Sequence, residues 1–247
     1  MIEIESEFTK TNLFSCPIYK IKIDPKLYDK EKIIKDILYN KSLKNTRNEP
    51  HQNIGDISNI HHSYMDFDNE DFKVINYEKL LGVYTEKFNE LFSKEIHTKK
   101  EFKFNFGIVN YSAATEGQWM PVHNHLPTDD FACIHYLNFK DGHNFTRFTN
   151  PLTFAPHLEH IQEELYDILD STNSDNSYMW KQFMFPVEED DMLIFPASLN
   201  HEVSPQGATE EPRITIATNI WIPSQKRNNM KDNLRNMTNG NNTKSNS

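Results

Sequence analysis

From residue 102 onward the spacing of apolar residues changes from three or four to two, and this change limits what the chain can become. Phe102, Phe104, Phe106 and Ile108 alternate with Lys103 and Asn105, the pattern of a strand continuing through Tyr111. Short apolar runs follow at Phe131–Phe139 (FACIHYLNF), within Phe145–Phe154 around Pro151, and at Lys181–Phe185, Met192–Phe195 and Ile214–Ile222. Upstream, Tyr19, Ile21 and Ile23 alternate as one further strand. Two helical stripes lie between. Lys26–Tyr39, opened by Asp24-Pro25, carries Leu27, Ile33, Ile34, Ile37 and Leu38, and Tyr77–Ile96 carries Leu80, Leu81, Tyr84, Phe88, Leu91 and Phe92. Short strands after two leading helices predict a mainly β (α+β) fold, an antiparallel sandwich or jelly roll with the N-terminal helices packed on the outside.

Ile161, Leu165, Ile168 and Leu169 return to helical spacing, so residues 156–176 read as a helical and loop insertion at one end of the sheet. Residues 1–223 then make one domain, a size that sandwiches and barrels commonly reach undivided. Residues 224–247 are polar, basic and aperiodic, the composition of a disordered tail. A net charge of -10 argues against a nucleic-acid-binding surface spread over the protein. Neither a G-x-G-x-x-G nor a G-x-x-x-x-G-K-[ST] pattern occurs, which argues against phosphate-cradling nucleotide folds. Cys16 and Cys133 are far apart, fit no metal spacing and suit a reducing compartment. The start MIEIESEF carries acids where a signal peptide needs bases, and no apolar run approaches membrane-spanning length. A cytoplasmic protein without a membrane partner is expected.

The chemistry-bearing residues gather in two places. His123 and His125 lie in a strand-to-loop passage, where residues two apart point to the same side. His201 follows the apolar run Asp191–Pro196, and Arg213 and Thr215 open the next one. Three histidines from two strand ends can make a facial metal set with open positions. Solvent-facing loop histidines are the plainer alternative for the H-x-H pair. Arg213 offers a planar, permanently charged fork for a carboxylate, and Thr215 points the same way from the same strand. The competing reading pairs Arg213 with Glu210 or Glu211 at the surface. Glu188–Asp191 reads as a solvated turn, His61 and His62 as surface, and Trp119 and Trp221 as packing.

Together, EGQWMPVHNHLPTDDFACIHYLNF and EEDDMLIFPASLNHEVSPQGATEEPRITIATNIW resemble the iron(II)/2-oxoglutarate-dependent oxygenase superfamily. More narrowly they resemble a group common in marine phages and bacteria, with H-x-H-P, then G-D-L-I-x-F-P-x-x-x-x-H-x-V, then R-x-[ST]-x-x-x-N. The resemblance spans most of residues 12–222. It implies a double-stranded β-helix (jelly roll) and a hydroxylase that uses Fe(II), 2-oxoglutarate and O2, coupling decarboxylation of the keto acid to C–H oxidation. It also implies iron held by His123 or His125 and by His201, with Arg213 and Thr215 on the far carboxylate of 2-oxoglutarate. Tyr111, His135 and Tyr136 become further cosubstrate contacts by position, and a phage-encoded chain would work in the host cytoplasm.

The chain departs from the superfamily's H-x-[DE] motif. If His123 is the first ligand, His125 takes the carboxylate position. If His125 is first, that position is Pro127, and water, Asp129 or Asp130 would have to serve. Two other readings stand beside the oxygenase. Gly117–Asp129 follows the cupin pattern G-x5-H-x-H-x3-[E] with Asp in place of Glu, which would suit a metalloenzyme without 2-oxoglutarate. A jelly-roll binding module that has lost its chemistry is the other. The substrate, whether a protein side chain, a small metabolite or a nucleobase, is not written in these motifs.

Overall fold

The alternating apolar runs pair into two antiparallel sheets in the computed structural model, which describes residues 16–43, 60–63, 70–99, 102–151, 170, 173, 176 and 180–223. In chain order the strands are β1 (Tyr19–Lys22), β2 (His61–His62), β3 (Asn105–Ala114), β4 (Met120–His123), β5 (Phe131–Asn138), β6 (Thr146–Thr149), β7 (Gln182–Met184), β8 (Asp191–Pro196), β9 (His201–Val203) and β10 (Arg213–Trp221). A six-stranded sheet runs β1-β8-β5-β10-β3-β2, and a four-stranded sheet runs β4-β9-β6-β7. The helices are α1 (Lys30–Ser42) and α2 (Glu78–Glu95). The Asp24-Pro25 signal makes a short 3-10 turn rather than the first turn of α1: the Asp24 side chain accepts from Lys26 N at 2.9 Å, and the α-helix starts at Lys30. The expected helix within 157–169, the remainder of the 156–176 insertion apart from residues 170, 173 and 176, and the tail from residue 224 lie outside the described residues.

The strand period separates two cores. Ile214, Ile216 and Ile220 of β10 join Tyr111 and Ala113 of β3, Cys133 and Leu137 of β5 and Met192 and Ile194 of β8 in one cluster. Ile33 and Ile37 of α1 and Leu80, Tyr84, Phe88 and Phe92 of α2 belong to the same cluster, so this face of the large sheet carries the helices. The alternate residues Ala132, Tyr136, Leu193 and Phe195 cluster instead with Phe148 of β6 and with Leu199, between the two sheets. Arg213, Thr215 and Asn219 share this inner parity on β10. A register shift between Ala217 and Thr218 skips one residue of β3, re-aiming the side chains along that strand.

The acid run before β8 is a turn, but only its first residue, Glu188, is solvated. Asp190 and Asp191 are buried, and Lys30 reaches Asp190 at 2.6 Å and Glu189 at 2.7 Å, while Lys140 reaches Glu189 at 2.6 Å. Lys22 lies 3.4 Å from Asp191, and Asp190 holds a φ of 66° at the turn into the strand. The run folds inward because a helix-borne lysine meets it, a contact that no local pattern announces. Cys16 and Cys133 are both free thiols. No helix among the described residues is long and apolar enough to cross a membrane.

Candidate metal and anion site

Antiparallel pairing of β4 with β9 sets His123 directly opposite His201, and His125 lies two residues past the end of β4. One ligand atom from each of these three histidines falls within 4.8 Å of the others. The rings stand 4.3 Å (His123–His201), 5.3 Å (His125–His201) and 5.6 Å (His123–His125) apart, centroid to centroid. His123 Nδ1 lies 2.9 Å from the Pro121 carbonyl and His201 Nδ1 lies 3.0 Å from the Leu199 carbonyl. A carbonyl only accepts, so both Nδ1 atoms carry the proton and both Nε2 lone pairs are left for a metal. Burial holds all three imidazoles in the neutral form that ligation needs. It pushes His201 down to about 3, with His123 adding to the effect. His123 and His125 are lowered by the same cause, opposed at His125 by Asp129 and Asn219. Phe195 packs edge-on against the His201 ring at 4.8 Å, limiting its rotation.

The two acids considered for the carboxylate position are engaged elsewhere. Asp129 Oδ2 accepts from Asn219 Nδ2 and from the Thr128 hydroxyl, both at 2.7 Å, and Asp130 Oδ2 accepts from Ile222 N at 2.6 Å. Neither acid joins the histidine cluster. Asp129 is also the acid of the cupin-like pattern, and it too stands apart from the histidines.

The second half of the site is built around Arg213, which is 1% exposed. Its Nη2 donates to Thr146 Oγ1 at 3.0 Å, and its guanidinium lies 5.0 Å from the Tyr136 ring centroid. The Tyr136 hydroxyl donates to the same Thr146 oxygen at 2.8 Å. Arg213 Nε and Nη1 are buried without a hydrogen-bond partner, and no acid pairs with the guanidinium among the described residues. The surface pairing with Glu210 or Glu211 does not form; Glu211 instead accepts from Asn138 Nδ2 at 3.2 Å. Burial lowers the Arg213 pKa, and Tyr136 opposes that shift. A buried cation with two unanswered donors is costly unless an anion meets it.

Thr215 belongs with Arg213, and its hydroxyl lies 2.8 Å from that of Ser112. Tyr136 is also on the side of Arg213. Tyr111 is not: it pairs with Ile216, lies in the helix-side cluster, and its hydroxyl is 3.3 Å from His61 Nε2. His135 is on the helix side as well, 0% exposed, with Nδ1 2.8 Å from the Tyr84 hydroxyl. Both residues sit one position out of phase with the inner face. His62, expected at the surface, is buried in register with Ser112 on the inner parity. Thr146 is the residue that the motifs miss. It is a threonine on β6 whose role depends on β6 lying across from β10, and no local signal marks it.

Strand β6 ties the two halves together. Thr146 touches Arg213, and Phe148 packs 6.0 Å from the His201 ring, two residues along the same side of one strand. Two residues of strand span about 7 Å, so one short stretch of β6 braces both groups.

No protein-family model and no curated protein matches this sequence. Solved structures do match in overall chain layout. A prolyl hydroxylase from Trichoplax adhaerens, solved with a hypoxia inducible factor oxygen degradation domain peptide, is 13% identical over 86% of each chain with a TM-score of 0.49. A viral collagen prolyl hydroxylase from Paramecium Bursaria Chlorella virus-1, in its 2OG complex, is 14% identical over 82% of this chain and 94% of that one, with a TM-score of 0.44. A Pseudomonas putida prolyl-4-hydroxylase is 8% identical over 84% and 92%, at 0.42. With likeness at this level, the functional reading rests on the residues of this chain.

Proposed function

We propose that this chain is a double-stranded β-helix oxygenase of the phage and bacterial group resembled by its motifs, a hydroxylase dependent on Fe(II), 2-oxoglutarate and O2. One observation carries the reading: a neutral three-histidine cluster shares a β-strand brace with a fully buried arginine that has two unanswered donors. The donor set fits the metal. Imidazole suits a first-row divalent ion, and a facial trio leaves positions open on the opposite side. Held by His123, His125 and His201, iron would supply the oxygen-activating chemistry while 2-oxoglutarate supplies the electrons.

The chain's own residues bind and orient. Arg213 offers Nε and Nη1 to the remote carboxylate of the keto acid, while Nη2 stays on Thr146 and holds the fork in plane. The Tyr136 ring lies against the guanidinium, and the Thr215–Ser112 hydroxyl pair provides a neutral donor beside it. Three neutral ligands leave the full charge of a divalent ion uncompensated, so with Arg213 the cavity strongly favours an anionic ligand. Phe148 and Phe195 pack against the buried His201, while His123 and His125 remain partly exposed.

Wild-type protein supplied with Mn(II) and 2-oxoglutarate under anaerobic conditions should melt higher than with either alone. At 100-fold over Kd the stabilisation is about 2.7 kcal/mol. With Fe(II) and O2 it should release succinate. A protein whose melting ignores 2-oxoglutarate with metal present, and which forms no succinate, would overturn the reading.

A further inference from the structure

The three imidazoles are not equally secured. His123 and His201 each spend Nδ1 on a backbone carbonyl, whereas the His125 ring is within reach of the Asn219 side chain instead. Beside His125 stands Asn219, whose side chain is placed by a second group. Asp129 Oδ2 accepts from Asn219 Nδ2 at 2.7 Å and is itself fixed by the Thr128 hydroxyl at 2.7 Å. With its amide nitrogen committed to the carboxylate, Asn219 turns its Oδ1 the other way. That oxygen is buried and has no partner. Asn219 shares the inner parity of β10 with Arg213 and Thr215, and it is paired with Ala132 and Gly107, neither of which has a side chain large enough to cover it.

We propose that Asn219 is the positioning residue for His125: its Oδ1 accepts the N–H of the imidazole nitrogen not used for ligation, and Asp129 locks Asn219 in the orientation that allows this. Each of the three ligands then has its own acceptor, Pro121 O, Leu199 O and Asn219 Oδ1. The carboxylate missing beside the metal reappears one step further out, polarising His125 through an amide. The buried orphan oxygen thereby gains a purpose, since a lone acceptor left dry costs about 1–3 kcal/mol. This inference rests on the metal reading of the histidine cluster.

Cobalt(II) titration of the full-length, metal-free protein, followed by d–d absorption, tests it without reference to turnover. Asn219→Ala should weaken cobalt binding about 10–100-fold and change the absorption envelope. Asn219→Asp alone should do the same, because it places two carboxylates face to face. The reversed pair, Asn219→Asp with Asp129→Asn, restores both an acceptor on His125 and a donor on the anchor, and should recover wild-type affinity to within about threefold. Wild-type cobalt affinity in Asn219→Ala would overturn the proposal, as would a reversed pair no tighter than Asn219→Asp, since a role confined to folding predicts no such rescue. If Asn219→Ala fails to fold, the comparison of Asn219→Asp with the reversed pair decides. A wild-type protein that takes up no cobalt would overturn the metal reading itself and this inference with it, whereas intact wild-type binding with indifferent variants overturns the inference alone.

Discussion

Arg213→Met is expected to cut turnover with 2-oxoglutarate about a thousandfold while making the ligand-free protein more stable. The two effects have one cause. Arg213 is fully buried, and only one of its three nitrogens is satisfied. In the ligand-free protein it therefore carries a desolvation cost that Thr146 and the Tyr136 ring offset only in part. Replacing a buried ion with an apolar side chain of similar length is commonly neutral or stabilising by about 1–4 kcal/mol. Only the bond from Nη2 to Thr146 is lost, and Thr146 Oγ1 still accepts from Tyr136. With the keto acid present the sign reverses, because truncating one partner of a buried charge pair costs about 2–5 kcal/mol and each 1.4 kcal/mol is tenfold. Urea unfolding without ligand and succinate release with it measure the two halves. Arg213→Lys keeps the charge but loses the fork, so it should fall between wild type and methionine in turnover. An Arg213→Met protein that is destabilised without ligand and still fully active would remove the anion subsite and favour a metalloenzyme that uses no keto acid.

The sequence was most legible where function is carried by neighbours on one strand. Arg213 and Thr215 are two residues apart, so their common face follows from period two alone, and the same holds for His123 and His125. Tyr111 and His135 went to the wrong face because parity tells which residues share a side, not which side is inner. Settling that requires knowing that Ile216 lies opposite both of them and faces the helices. The residue skipped in β3 near the Ala217/Thr218 register shift makes counting along the strand less dependable still. Thr146 and Asn219 hid their roles for another reason, although the R-x-[ST]-x-x-x-N motif ends on Asn219. Each acquires its role from a residue far off in the chain, Arg213 at a separation of 67 and Asp129 at a separation of 90. The acid run before β8 misled in the same way, since Lys30 comes from 160 residues upstream. Short polar side chains with long-range partners leave no periodic trace.

Acid should weaken this fold well above the pH at which its carboxylates titrate, and His135 allows the effect to be isolated. Burial pushes His135 down to about 3, with Lys30 contributing, and the same cause takes His201 to about 3. In the unfolded chain an imidazole titrates near 6.5. Between these values the unfolded state binds more protons than the folded one, so stability rises with pH across that window and is lost on acidification below about 6.5. Each such group contributes at most about 1.4 kcal/mol per pH unit. Two of them would remove about 4 kcal/mol between pH 6 and 4.5, a large part of the roughly 5–15 kcal/mol that holds an ordinary domain together. The carboxylates act lower. Burial opposes ionisation of Asp36 and Glu189, but Lys32 and Lys73 hold the first, and Lys140 and Lys30 the second, below their usual range. Their contribution is therefore intact above about 4.5 and is lost only as pH falls further. Urea unfolding of chelator-treated protein from pH 7 to 4.5 should show this slope. His135→Gln keeps a polar partner for the Tyr84 hydroxyl but cannot titrate, so it should lower the slope by one group's share, up to about 1.4 kcal/mol per pH unit. An unchanged slope in that variant would mean that His135 is protonated as readily in the fold as outside it, which a fully buried imidazole beneath Tyr28 and Tyr84 does not permit.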